Sequence, residues 1–109
     1  MPLLYNFDVE TTDDIMKILS QNLRKRRLEK GLSRNVLSKM SGVPGPTIAK
    51  FEQNHSISLS SYVALAKALG YTKEIKELLS QPLYSTMEEL DRINKNKGRK
   101  RGCRNEIGK

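Results

Sequence analysis

With 109 residues, 37% of them apolar, the chain has room for one small domain with a modest core, plus tails. Its 20 Lys and Arg against 12 Asp and Glu leave a net charge of +8, which suits a polyanion: a nucleic acid or an acidic membrane surface. One cysteine, Cys103, excludes an internal disulfide, and no Cys/His cluster has metal-ligand spacing. No run approaches the ~20 apolar residues of a membrane span, and MPLLYNFDVETTDD lacks the marks of a signal peptide. A cytoplasmic protein without metal or cofactor is expected, and a domain this small favours a homodimer.

The charge is uneven. Residues 94–109 hold seven Lys or Arg and one Glu, while residues 1–93 are nearly balanced, so the basic character mostly describes the tail.

In chain order, LLYNFDV (residues 3–9) is β-prone, and a lone strand needs a partner. The 1–11 arm therefore either pairs with the same segment of a second subunit or frays. A first helix is expected from Thr12 or Asp13 to Lys30, capped by Thr12 and favoured by Asp13 and Asp14 at the positive end of its dipole. Ile15, Ile18, Leu19 and Leu23 form its apolar face, and Gly31 ends it. Ser33 caps a second helix that turns Val36, Leu37 and Met40 inward and breaks at Gly42. A third helix starts around Pro44-Gly45-Pro46 and runs to about Gln53, with Ile48 and Phe51 in the core. Proline is tolerated there because first-turn N–H groups have no intrahelical partner.

Ser58 caps a fourth helix, LSSYVALAKALG, with Leu59, Tyr62, Val63, Leu65, Ala66 and Leu69 on its apolar face. Thr72 caps a fifth, with Ile75, Leu78 and Leu79 inward, and Pro82 stops it. Ser85-Thr86-Met87-Glu88 reads as a capping box opening a short helix with Met87, Leu90 and Ile93 in a narrow stripe. The fold class is thus all-α: five helices with room for a short extra C-terminal one. The organisation is an arm (1–11), a helical domain (12–81), a short helix (82–93) and a basic disordered tail (94–109).

The second helix, a Gly-containing turn and a short third helix give the helix-turn-helix layout. Arg27, Gly31-Leu32-Ser33, Leu37, Ser41-Gly42-Val43, Thr47-Ile48, Phe51-Glu52 and the ALAKALG run carry it further. Together they resemble the phage-repressor-like (Cro/C1, XRE) helix-turn-helix family over roughly residues 18 to 79. Within that family, TIAKFEQN followed by SLSSYVALAKAL most resembles the HipB antitoxins, repressors of their own operon that bind a HipA-like kinase toxin.

The resemblance implies a DNA-binding role for Ser33, Arg34, Pro44, Gly45, Pro46, Thr47, Lys50, Asn54 and His55. The third helix would enter the major groove, with Pro44 to Thr47 and Lys50 against base edges. Many relatives carry Gln, Lys, Ser or Arg where this chain has Pro44, Gly45 and Pro46. Here Pro46 and the Thr47 methyl suit a thymine methyl, Gly45 permits close approach, and Lys50 reaches guanine or a phosphate. Few direct hydrogen bonds and more reliance on DNA shape are therefore expected. Arg34 stands where the family usually has Gln, against the DNA backbone, and Arg is the stronger phosphate ligand. Arg27 and Glu52 are implied as a structural pair that sets the angle of the third helix.

Binding rather than turnover is expected, because no catalytic acid–base or nucleophile set is present. His55, the sole histidine, lacks partners for metal or catalysis. The implied function is a transcriptional repressor acting as a homodimer on a palindromic operator in double-stranded DNA, with a HipA-like kinase toxin as protein partner. The alternative is a stand-alone repressor without a toxin partner. The basic tail suits phosphate contacts or an acidic groove of a protein partner.

Overall fold

The structure is a computed structural model that describes residues 10–98. The expected arm strand at residues 3–9, Cys103 and most of the basic tail lie outside the described residues. Within them the chain forms six α-helices and no strand: α1 Thr12–Glu29, α2 Arg34–Ser41, α3 Gly45–Asn54, α4 Leu59–Ala68, α5 Thr72–Glu77 and α6 Met87–Asn96.

The helix starts follow side-chain capping. Ser33 accepts the Val36 N–H at 3.1 Å, and Ser58 accepts the Ser61 N–H at 3.2 Å. Each satisfies a first-turn donor that has no carbonyl four residues back. For α1 the cap is Thr11, not Thr12. Thr11 Oγ1 accepts from Asp14 N while Asp14 Oδ2 accepts from Thr11 N, both at 3.0 Å, a reciprocal box that requires Asp at the third helical position. Gly31, Gly42 and Gly70 follow or end helices at φ 70, 80 and 94°, values at which a Cβ would be strained.

The chain divides into two compact units, one ending at Lys76 and the other beginning at Glu77. In the first, α3 packs against α1 and α2, and α2 packs on α4. Leu23, Leu37, Val43, Ile48, Phe51, Leu65 and Leu69 form the core. Phe51 and Tyr62 meet edge to face at 5.7 Å between ring centroids, the arrangement aromatic quadrupoles favour.

The inward faces differ from those expected at four places. On α1, Ile15 and Ile18 are exposed, and the packed stripe is Met16, Leu19, Ser20, Leu23 and Arg27. These fall at helical spacing too, but the stripe is rotated to include two polar residues, Arg27 and Ser20, whose partners lie on α3 and at its C-cap. On α2 only Leu37 is buried; Val36 and Met40 stand 43% and 52% exposed. Leu59, at the first position of α4, lies outside the core at 76% exposure. Leu78 and Leu79 are exposed, because α5 is shorter than expected. Ser80 donates both its N–H (3.0 Å) and its hydroxyl (2.7 Å) to the Glu77 carbonyl, and Leu79 takes φ 61°, so the chain turns out of the helix before Leu78. Thr72 is the first residue of α5 rather than its cap; the preceding carbonyl, Tyr71, accepts from Ile75 N at 3.0 Å.

In the second unit Thr86 caps α6, accepting from Glu89 N at 3.1 Å. Glu89 Oε1 in turn accepts the Ser85 N–H at 2.6 Å and its hydroxyl at 2.9 Å. The expected Ser85–Glu88 box is therefore not formed: Thr86 rather than Ser85 is the cap, and Glu89 reaches back to Ser85, one residue before it. The two hydrogen bonds from Ser85 hold the Glu89 carboxyl below its ordinary range. Leu90 and Ile93 are half-buried while Met87 is exposed, and α6 continues past Ile93 to Asn96.

Candidate nucleic-acid interface

The turn between α2 and α3 is built from three short-range devices. Gly42 takes the left-handed conformation and donates to the Ser38 carbonyl at 2.8 Å. Val43 is 4% exposed and donates to Ser41 Oγ at 3.1 Å, which pins the turn to the core. Pro44 then occupies the N-cap position of α3 at φ −58°, ψ 142°, with no side-chain capping bond.

What this leaves at the start of α3 follows from counting donors. Thr47 and Ile48 both donate to the Pro44 carbonyl, at 3.0 and 3.2 Å. Pro46 has no N–H. Pro44 and Pro46 are exposed, and Gly45 and Thr47 are half-buried. The leading edge of α3 is therefore apolar and poor in donors. A Cβ built at Gly45 would meet nothing within 4 Å, and its backbone is not in the left-handed region, so the fold itself does not require glycine there. Farther along, Lys50 and Asn54 share the exposed side, opposite the fully buried Ile48 and Phe51.

The start of α2 is different. Beside the Ser33 cap its first turn carries no acidic residue to offset the positive end of the helix dipole. Arg34 sits there with 36% of its side chain exposed. Its Nε donates to Glu52 Oε1 at 3.0 Å, a partner that spacing along the chain did not suggest.

Glu52, on α3, is the hub of this region. Arg27 donates to it twice, Nε to Oε2 at 2.8 Å and Nη2 to Oε1 at 2.9 Å, and sends Nη1 to the Leu32 carbonyl at 2.8 Å. The side chains of Arg27 and Glu52 are 7% and 1% exposed. Burial by itself would raise the Glu52 carboxyl, but the hydrogen bonds and charges of Arg27 and Arg34 prevail and hold it below its ordinary value. One carboxylate thus ties α1, the start of α2 and α3 together.

His55 caps the C-terminus of α3 in the left-handed conformation at φ 64°, its N–H on the Phe51 carbonyl at 2.8 Å. Its Nδ1 lies 2.7 Å from the Oγ of Ser20, which is fully buried on α1. Ser20 escapes a reading that looks for apolar stripes. The available signal is its position between Met16 and Leu19 on one side and Leu23 on the other, at helical spacing. Among the described residues no group of His, Cys, Asp and Glu could hold a metal ion, and no helix is long and apolar enough to cross a membrane.

Residues 23–75 match the helix-turn-helix family, a span that holds all of α2, α3 and α4. This segment is a helix-turn-helix domain. Members of the family are DNA-binding regulators rather than enzymes, and the match supports DNA binding in transcription regulation for this chain. It carries the resemblance at family level and gives no support to the narrower likeness to HipB. No curated protein and no solved structure matches the chain.

Proposed function

We propose that the protein is a sequence-specific repressor that binds a palindromic operator as a homodimer, with α3 in the major groove. The observation that carries this is the two-sided build of α3. Ile48 and Phe51 are fully buried while Pro44, Pro46, Lys50 and Asn54 face outward beside the phosphate-suited start of α2. Pro46 and Thr47 present hydrocarbon to thymine methyls, Lys50 reaches a guanine edge, and Ser33, Arg34, Asn54 and His55 flank them toward the strands. Arg27 and Glu52 fix the helix angle. Two copies would span half-sites one helical turn, ~34–36 Å, apart.

Selection of bound duplexes from a random pool tests this directly. A two-fold symmetric consensus is expected, and recovery of unrelated sequences would reduce the protein to a nonspecific binder. Lys50→Ala should relax the preference at one base position of that consensus; equal loss on all sequences would place Lys50 on a phosphate instead.

The finer reading is a HipB-like antitoxin that autoregulates its operon in the cytoplasm and binds a HipA-like kinase toxin. It is supported by the strings TIAKFEQN and SLSSYVALAKAL. A stand-alone regulator is the competing reading. Capture of the tagged protein from its own cells with nuclease present separates them: a stoichiometric kinase-like partner favours the antitoxin, and the protein alone favours the stand-alone regulator.

A further inference from the structure

Glu52 carries one negative charge and meets two guanidinium groups, so the Arg27–Glu52–Arg34 set keeps one positive charge in excess. Arg27 is spent inside the fold. All three of its nitrogens donate, and the residue is 6% exposed. Arg34 is tethered only through Nε. Its Nη1 and Nη2 have no hydrogen-bond partner among the described residues, and its side chain is partly exposed. The excess charge therefore sits on Arg34, at the N-terminal turn of α2.

A guanidinium held at Nε keeps its two terminal nitrogens in one plane at one place. That is the fork geometry that matches two phosphate oxygens. An untethered arginine loses rotamer freedom when it binds, whereas a tethered one has lost that freedom on folding. We infer that Glu52 is a positioning residue that holds Arg34 as a preset phosphate fork, so that backbone grip and the seating of α3 depend on one carboxylate. The inference rests on the DNA-binding reading and adds to it how the contact is oriented. It also distinguishes Glu52 from a residue that serves only to bury Arg27.

The test is fluorescence anisotropy of the full chain with a duplex selected by the wild type, across about 50 to 200 mM salt. Arg34→Ala should bind about tenfold more weakly at the low end. Its plot of log K against log salt should be shallower by about one. Arg34→Lys keeps the charge but not the fork, and should lose nearly as much as Arg34→Ala; wild-type affinity for Arg34→Lys overturns the inference. Glu52→Gln, checked for wild-type circular dichroism, should weaken binding more in the wild-type background than in the Arg34→Ala background, where only its seating of α3 through Arg27 is left to lose. Equal weakening in both backgrounds shows that Glu52 acts through the fold alone and overturns the inference. If Glu52→Gln does not fold, Glu52→Asp, which keeps the charge and shortens the reach, takes its place in the same two backgrounds with the same outcomes. A wild-type protein that retains no duplex from the pool overturns the DNA-binding reading and this inference with it, an outcome distinct from a wild type that binds and an Arg34→Lys that binds equally well.

Discussion

The first turns of α2 and α3 lie only eleven residues apart in sequence, Arg34 to Gly45, yet they begin by opposite means. The α2 start is polar: a serine cap, no acidic side chain, and an arginine steered by a buried glutamate. The α3 start is nearly silent: a proline at the cap position without a side-chain bond, glycine first, proline second. Donors suit phosphate, and a donor-poor surface suits methyl groups and contour. The proposed division of labour between the neighbouring helix starts rests on which first-turn N–H groups remain and which side chains stand beside them.

Glu52 joins the two regions, so its removal should have the largest effect. Glu52→Ala leaves Arg27 charged and enclosed without its partner, and should cost about 3–5 kcal/mol in urea unfolding. A loss below ~1 kcal/mol would show that solvent reaches Arg27 readily.

The same carboxylate makes a pH prediction. Its pKa is lowered in the folded state, so the native protein binds fewer protons than the unfolded chain as the solution turns acid. Its contribution is present above the ordinary carboxylate value of 4.5 and is lost as pH falls through the lowered native value. In a variant that folds, Glu52→Gln should flatten that part of the stability profile; an unchanged acid limb would assign it to other carboxylates.

Smaller effects separate the two helix starts. Ser33→Ala removes the α2 cap and should cost about 1 kcal/mol. Gly45→Ala should leave stability unchanged or raise it by about 0.5 kcal/mol, since a Cβ there meets nothing within the protein. It should nonetheless weaken duplex binding in an anisotropy titration. Unaltered affinity would mean that nothing outside the protein approaches Gly45 closely.

Much of the fold was legible from punctuation. Ser33, Ser58, Gly31, Gly42 and Gly70 mark helix ends by chemistry that acts within a few residues, and Ile48 and Phe51 could be placed in the core by their spacing. Sequence was a poorer guide where the deciding contact is remote. Ile15 and Ile18 are more apolar than Ser20, yet Ser20 is the buried residue, because its partner lies 35 positions away. Leu78 and Leu79 continue a helical pattern that the Glu77–Ser80 turn cuts short. At the candidate interface, the helix period placed only Ile48 and Phe51 inward, and the outward set on α3 came from the family resemblance, position by position. The tether of Arg34 to Glu52, 18 residues apart, became visible only once α2 and α3 were packed.

The contact between Ser20 and His55 has a practical consequence. The chain has no tryptophan and a single histidine, and that imidazole touches α1 from the end of α3. Its ring resonances in an NMR spectrum are therefore an unlabelled internal gauge of whether the two helices remain closed, readable in one dimension while DNA, acid or denaturant is added.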